Sequence, residues 1–356
     1  MTVWNFRNDY SEGCHPYLLD ALIRANEGQQ ESYGDDDYTC EARDLIRKAI
    51  GKPDADVYFV SGGTQANLIV IGSALRPHES VISASTGHIH VHEAGAVETT
   101  GHKINTIENP DGKVMIEDIQ AVLDEHTTIP HMVKPKLVYI SNSTEIGTIY
   151  THEELRNLSA FCKRLGLYLF CDGARLGSAL CAKGNDLTLK DLAELTDIFY
   201  IGGTKNGAMA AEAIVIIDEN LKQDYGYFVK QKGGLLAKGR FLGIQFLELF
   251  KDGLFFDLAR HANAMAMKLA AAIEKQGCSF LTQSTTNQIF PILPNAVIDK
   301  LNENYGFYVW KKINAEVSAI RLVTSWATPE MMVDRFITDF SREIGLIGDQ
   351  NKDNVR

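Results

Sequence analysis

Two stretches decide the fold: Tyr168-Leu169-Phe170-Cys171-Asp172-Gly173-Ala174-Arg175 and Ile198-Phe199-Tyr200-Ile201-Gly202-Gly203-Thr204-Lys205-Asn206-Gly207. Each is a short apolar run that stops at a glycine turn, which is how a buried strand reads. Outward from them, residues 57–60, 80–82, 103–106, 136–140 and 213–217 read as further strands, and 64–75, 116–123 and 152–165 carry apolar residues at helical spacing. Strands alternating with helices predict an α/β fold with a mostly parallel central sheet across residues 55–220. Beyond Gly233-Gly234 the alternation stops. Residues 235–250 and 258–275 read as long helices, 288–293 and 320–324 as weaker strands. The expected division is a large α/β domain with an N-terminal segment over 1–250 and a smaller C-terminal α+β domain over 251–356. The polar tail from Gly348 is expected to fray.

Asp172 and Lys205 give these strand ends their chemical interest. A strand-end carboxylate and a lysine in a Gly/Thr turn suit pyridoxal phosphate, the lysine in imine linkage and the carboxylate against the pyridinium nitrogen. A lone lysine in a turn is ordinarily a solvated surface residue. Lys205, however, lies between two apolar runs, and burial would lower its pKa and make it a better imine-forming amine. Taken alone, it admits both readings.

The whole chain narrows the choice. It has 356 residues, 35 basic against 46 acidic, for a net charge of −11. That balance argues against a broad nucleic-acid or anionic-membrane surface, so a bound anion must meet a local site. No apolar run approaches the roughly 18 residues of a membrane span, and Met1 to Trp4 lacks the features of a signal peptide, which points to the cytoplasm. The six cysteines are scattered without a C-x-x-C pair and read as reduced core thiols.

Several other motifs bear on function. Ser61-Gly62-Gly63-Thr64-Gln65-Ala66-Asn67 follows the first buried strand and opens a helix, where unpaired backbone N–H groups meet a phosphate; a Gly-Gly turn with a Thr cap is also a common structural device. His88, His90 and His92 alternate before Glu93, but no cysteine or fourth carboxylate has a zinc-ligand spacing, and no metal is expected. One of the imidazoles can instead stack on a cofactor ring. Arg175 follows Asp172 by three residues, and Arg321 interrupts an apolar strand. Each suits a substrate carboxylate, or an interdomain salt bridge.

With these residues in place, the chain resembles the low-specificity L-threonine aldolases, fold-type I pyridoxal-phosphate enzymes related to the β-eliminating lyases, from Phe6 to about Phe340. Arg7-Asn8-Asp9 is similar to the family's Arg-Ser-Asp, Tyr33-Gly34-Asp35-Asp36 to its Tyr-Gly-Asp-Asp, and Gly62-Gly63-Thr64 to its phosphate-binding Ser-Gly-Thr. His88 matches the histidine that stacks on the cofactor, and Asp172-Gly173-Ala174-Arg175 its Asp-Gly-Ala-Arg. Thr204-Lys205-Asn206-Gly207 resembles the branch that includes phenylserine aldolases, and Arg321 falls at the arginine that holds the amino-acid carboxylate. Asn8 replaces a serine, Asp37 a common proline, and Thr144 the histidine expected near the substrate hydroxyl.

The resemblance implies an aspartate-aminotransferase-like fold (type I) and pyridoxal 5'-phosphate as cofactor. It implies retro-aldol cleavage of β-hydroxy-α-amino acids, with L-threonine or L-allo-threonine giving glycine and acetaldehyde. Lys205, His88 and Asp172 are the expected catalytic residues. Gly62, Gly63, Thr64 and Arg175 join them around the cofactor, and Asn8, Tyr33, Arg175 and Arg321 around a small amino-acid substrate. Tyr33 and the N-terminal segment resemble elements that reach a neighbouring subunit's site, which implies a homo-oligomer, dimer or tetramer, with shared active sites. Transamination, racemisation and β-elimination are rival reactions of the same cofactor. A non-catalytic binding protein and a nicotinamide oxidoreductase are further alternatives, the latter lacking G-x-G-x-x-G.

Overall fold

The computed structural model describes the backbone of residues 3–353 and the side chains of residues 3–346. The chain enters through β1 (Trp4–Asn5), α1 (Pro16–Arg24) and α2 (Asp37–Ile50), then passes into β2 (Asp56–Val60), α3 (Gly63–Ala74), β3 (Glu79–Ala84), α4 (His88–Val91), β4 (Ile104–Ile107) and α5 (Ile116–Glu125). There follow β5 (Lys134–Ser141), α6 (His152–Leu165), β6 (Tyr168–Asp172), α7 (Leu176–Leu180), α8 (Leu189–Leu195), β7 (Ile198–Gly202) and β8 (Glu212–Ile216). After α9 (Glu219–Lys222), α10 (Tyr225–Gln231), α11 (Arg240–Lys251) and α12 (Leu254–Lys275), the last part holds β9 (Gln288–Ile289), β10 (Ile292–Pro294), α13 (Asn295–Asn302), β11 (Tyr305–Gly306), β12 (Tyr308–Lys312), β13 (Val317–Val323) and α14 (Glu330–Asp353).

Seven strands form the central sheet in the order β2-β8-β7-β6-β5-β3-β4. Only β8 runs against the rest. All seven strands expected between residues 55 and 220 are present, so the sheet is the mostly parallel α/β sheet that the alternation predicts. Every residue of β3, β7 and β8 is buried, because helices cover both faces. Along β7 the period of two sends Phe199 and Ile201 into the core under α2, α8 and α11, and Ile198 and Tyr200 into the core under α3 and α10. Local signals set the helix ends: α6 opens on a Thr151/Glu154 capping box and closes on left-handed Gly166.

A third core joins Leu269, Ile273, Ile320, Leu322, Phe336 and Phe340 to Phe6. There β13 pairs with β9, β10 and β12, and β1 from the N-terminus pairs with β11.

The differences from expectation are local. The long helix expected from residue 235 begins at Arg240, after a turn in which Gly239 backs onto Gly34: a Cβ on Gly239 would lie 2.7 Å from Gly34 Cα. The strand expected over 288–293 is split by Pro291, which has no N–H to give a ladder. The tail from Gly348 continues α14 to Asp353 instead of fraying there; 354–356 lie outside the described residues. Among the described residues no helix is long and apolar enough to cross a membrane.

Helices α2 and α11 approach closely because Gly243 faces Thr39; a Cβ at Gly243 would sit 2.7 Å from Thr39 Cα. In Gly243→Ala, better helix propensity returns up to about 1 kcal/mol, while overpacking costs about 1–3 kcal/mol. Backbone on both sides cannot give way like a flexible side chain. The expected result is a net loss of about 1–2 kcal/mol, read as a lower urea midpoint; an unchanged midpoint would mean that the two helices part freely.

Candidate active site

The carboxyl ends of the parallel strands bring distant residues to one crevice. Ser61 to Gly62 link β2 to α3, His88 follows β3, Ser141 to Glu145 leave β5, Asp172 ends β6, and Lys205 occupies the turn from β7 to β8. They surround a cavity of about 230 Å³ whose walls include Gly62, Gly63, Thr64, His88, Asp172, Arg175 and Lys205. A second cavity, of about 490 Å³, shares His88, Arg175 and Lys205 with the first and adds Arg321. Eight of the ten site residues expected from sequence are thus brought together.

Asp172 is the most constrained of them. Its Oδ2 accepts from the Tyr139 hydroxyl at 2.6 Å and Asn67 Nδ2 at 3.1 Å; its Oδ1 accepts from the Tyr200 hydroxyl at 2.6 Å and the Ala174 N–H at 2.9 Å. Burial works against its charge, yet His88 and these donors prevail and hold its pKa below the usual carboxylate value. Asn67 Nδ2 also donates to Glu93 Oε1 at 2.7 Å, and Glu93 Oε1 lies 2.8 Å from His88 Nδ1. A carboxylate acceptor assigns the proton to Nδ1 and leaves Nε2 as the free ring nitrogen. His88 opens the one-turn helix α4; His90 on it and His92 just after it are exposed.

At the start of α3, the Gly63 and Thr64 N–H groups have no partner among the described residues. Gly62 has open space where a side chain would stand, and a Cβ on Gly63 would come 2.9 Å from the Tyr200 hydroxyl. Glycine therefore lets the positive end of a 12-residue helix abut the tyrosine that clamps Asp172. Among the described residues Lys205 makes no hydrogen bond and no ion pair. Burial, then the Arg175 charge, lowers its pKa. Glu212 accepts from the Gly203 N–H at 2.9 Å, and burial pushes it up to about 7. An open helix N-terminus, a donor-clamped carboxylate and an unpartnered amine are the groups that a phosphorylated pyridine aldehyde needs. The residues present fit pyridoxal phosphate.

The two arginines differ. Arg175 is tied to Asp9 by a bidentate pair, Nε to Oδ2 at 2.7 Å and Nη2 to Oδ1 at 3.0 Å, and Asn287 Nδ2 gives Asp9 a third bond at 2.8 Å. This is the salt-bridge alternative, with an N-terminal partner. Arg321 has no ion pair among the described residues. Its Nη2 donates to the Arg7 carbonyl at 3.1 Å, its Nε is buried without a partner, and its guanidinium lies 5.0 Å from the Trp310 ring centre and 5.5 Å from that of Tyr308.

Two expected residues stand apart. Asn8 Oδ1 accepts from the Tyr10 N–H at 3.1 Å and from Ser11 Oγ at 2.9 Å, and Asn8 lines neither cavity. Tyr33 is exposed, with Lys230 Nζ 4.4 Å from its ring centre, outside both cavities of a single chain. Thr144, expected near a substrate hydroxyl, is fully buried with Oγ1 2.7 Å from Thr148 Oγ1, while Ser143 and Glu145 on either side line the first cavity. Tyr139, Tyr200, Asn67, Glu145 and Glu212 were not singled out from sequence. The only hint was a polar group inside an otherwise apolar strand, as at Tyr139 and Tyr200.

Comparison with known proteins bears directly on this site. The beta-eliminating lyase family profile matches residues 5–295. A low specificity L-threonine aldolase of a Pseudomonas species is 34% identical over 343 residues, covering 94% of this chain and 96% of the relative, and one from Pseudomonas aeruginosa is 32% identical over 346 residues, covering 96% and 97%. A solved structure of Leishmania major threonine aldolase is 50% identical, with a TM-score of 0.94, covering 96% of this chain and 99% of that one. Thermus thermophilus aspartate aminotransferase, at 16% identity with a TM-score of 0.72 over 96% and 91%, shares the fold. With its profile match across most of the chain and full-length relatives above 30% identity, the chain belongs to the beta-eliminating lyase family.

Proposed function

We propose that this protein is a pyridoxal-phosphate-dependent aldehyde-lyase that cleaves β-hydroxy-α-amino acids, L-threonine or L-allo-threonine, to glycine and acetaldehyde. The aldolase names of its relatives support the reaction, and the family and fold support the cofactor. The observation that carries the reading is the unpartnered Lys205 between the clamped Asp172 and the open start of α3, with an unpaired Arg321 across the adjoining cavity.

Gly62, Gly63 and Thr64 would hold the phosphate, Lys205 the aldehyde carbon and Asp172 the ring nitrogen, with His88 against the ring. When bound, the cofactor supplies an electron sink for the pair released as the Cα–Cβ bond breaks. The protein's own work is orientation. Arg321, already desolvated and lacking a carboxylate, takes the substrate carboxylate and so fixes which Cα bond stands perpendicular to the ring. Arg175 lines the same space, but its fork is committed to Asp9, so it shapes the pocket and contributes charge. The hydroxyl on Cβ must lose its proton as the carbonyl forms, to a group within hydrogen-bond reach.

In a homo-oligomer, dimer or tetramer, Tyr33 and the N-terminal segment with Asn8 would reach a neighbouring subunit's site; Tyr33 and Asn8 stand clear of the cavities of their own chain, while Tyr10 lines both. The proposed domains, 1–250 and 251–356, then divide the labour: the first holds the cofactor and the second brings Arg321. The net charge of −11 fits a cytoplasmic enzyme without a nucleic-acid partner.

Purified protein with pyridoxal phosphate is expected to release aldehyde from L-threonine, L-allo-threonine or phenylserine; release from none of them, of either hand, would overturn the reading. Lys205→Ala should lose both cleavage and the absorption change that accompanies cofactor binding. The arginines should separate cleanly. Arg321→Met is expected to raise KM about 10–100-fold, the loss of about 1.5–3 kcal/mol for a charged hydrogen bond, with the urea midpoint little changed. Arg175→Met instead leaves the Asp9 carboxylate buried and unpaired, so about 3–5 kcal/mol of stability should be lost. Burial opposes the Asp9 charge, but Arg175, Lys205 and Asn287 outweigh it and lower its pKa, so the pair's contribution is present above the unfolded carboxyl value and fades as pH falls through the lower folded one.

A further inference from the structure

A substrate held by Lys205 and Arg321 must cross the region common to the two cavities. The side chains that line both are Tyr10, His88, Glu145, Arg175 and Lys205. Arg175 is committed to Asp9, and Lys205, under the proposed function, would hold the cofactor. His88 has its Nδ1 on Glu93 and, under the proposed function, would lie over the cofactor ring, and Tyr10 is an exposed phenol. Asp172 and Glu212 line only the first cavity. Glu145 is the one carboxylate in the shared region.

Its two oxygens are in different situations. Oε1 accepts both the His88 N–H at 2.9 Å and the Ser141 hydroxyl at 2.7 Å, which anchors the carboxylate to the end of β5 and to the start of α4. Oε2 has no hydrogen bond among the described residues, and it is not sealed in the protein interior. A side chain pinned by one oxygen with the other turned to the cavity is how a proton acceptor is pre-positioned.

We propose that Glu145 accepts the β-hydroxyl proton of the substrate, an inference that rests on the aldolase reading above. As the Cα–Cβ bond breaks, the O–H electron pair becomes the second bond of the aldehyde carbonyl, the proton passes to Glu145 Oε2, and the Cα–Cβ pair stays with Cα. Cα later takes one proton and Glu145 releases one, so the reaction as a whole consumes none. Burial, followed by the Asp172 charge, raises the Glu145 pKa, against the Ser141 and backbone hydrogen bonds. Tyr139 on β5, Tyr150 in the following loop and Arg175 after β6 also interact with its charge through space, and the His88 N–H of α4 bonds it. A carboxylate strengthened in this way is a better base for a hydroxyl than a solvated one.

Glu145→Gln keeps the shape and the Oε1 contacts and removes the basic oxygen. Three readouts separate its roles: the absorption change on cofactor titration, exchange of the glycine α-proton in D2O followed by NMR, and aldehyde release from L-threonine. Glycine has no β-hydroxyl, so its exchange needs the cofactor and Lys205 but not the proposed base. The expected result is cofactor binding and glycine exchange as in the wild type, kcat for cleavage lowered about 10²–10⁴-fold, and loss of the acid limb of the kcat–pH profile. Glu145→Asp should recover part of the cleavage. Cleavage retained in Glu145→Gln would overturn the proposal. Exchange and cleavage falling together, or cofactor binding lost in both variants, would also overturn it, by showing a structural role through the His88 N–H. Wild-type protein that exchanges glycine protons but releases no aldehyde would sink the aldolase reading and this proposal with it, an outcome distinct from failure of the variant alone.

Discussion

The buried carboxylate of Asp172 is the constraint on which the rest of the site depends. Moving an ion into a protein interior costs several kcal/mol even after relaxation, and Asp172 meets that cost with four donors. Two of them, Tyr139 and Tyr200, come from the strands on either side of β6, so the clamp exists only when β5, β6 and β7 pair in the observed register. A slip of one residue would turn both hydroxyls to the opposite face of the sheet. The same Tyr200 hydroxyl sits where a side chain on Gly63 would go, which ties the start of α3 to the position of Asp172. Sheet register, helix entry and the charged centre are one arrangement.

Around that centre the charges are sorted by what each is bonded to. Asp9 neutralises Arg175, Glu93 orients His88, and Tyr139, Tyr200 and Asn67 satisfy Asp172. Among the described residues, Lys205 and Oε2 of Glu145 are left without hydrogen-bond partners, and Arg321 without a carboxylate, its Nε unbonded. Under the proposed function these three are the groups that meet aldehyde carbon, carboxylate and hydroxyl. The unsatisfied positions are thus the ones where ligand would stand, as expected where desolvation is completed by substrate.

The sheet was legible because buried strands between glycine turns are a local pattern, and all seven strands come from it. The N-terminal helices α1 and α2 lack a clean apolar face in the sequence: in α1 Tyr17, Leu19 and Ile23 are apolar yet exposed, and in α2 charged residues interrupt the buried positions. Eight of the ten expected site residues converge because each sits within a few residues of a strand end, where the fold itself does the gathering. The partners that define their states were not legible. Asp9 and Arg175 are 166 residues apart, Asn67 and Asp172 are 105 apart, and nothing local announces such pairs.

The segment after β5 shows how fine the remaining uncertainty in a sequence is. Matched by order, Thr144 falls at the position of a histidine, and a neutral, short side chain there leaves cleavage without a base. In the fold, Thr144 is turned into a bond with Thr148, and the next residue, Glu145, reaches the cavity with one oxygen anchored and one free. A shift of one position exchanges a buried hydroxyl for a carboxylate. What looks like the loss of a catalytic group along the chain is then its replacement by a different acid-base pair: a carboxylate whose basicity is raised by burial, standing where an imidazole would need no such help.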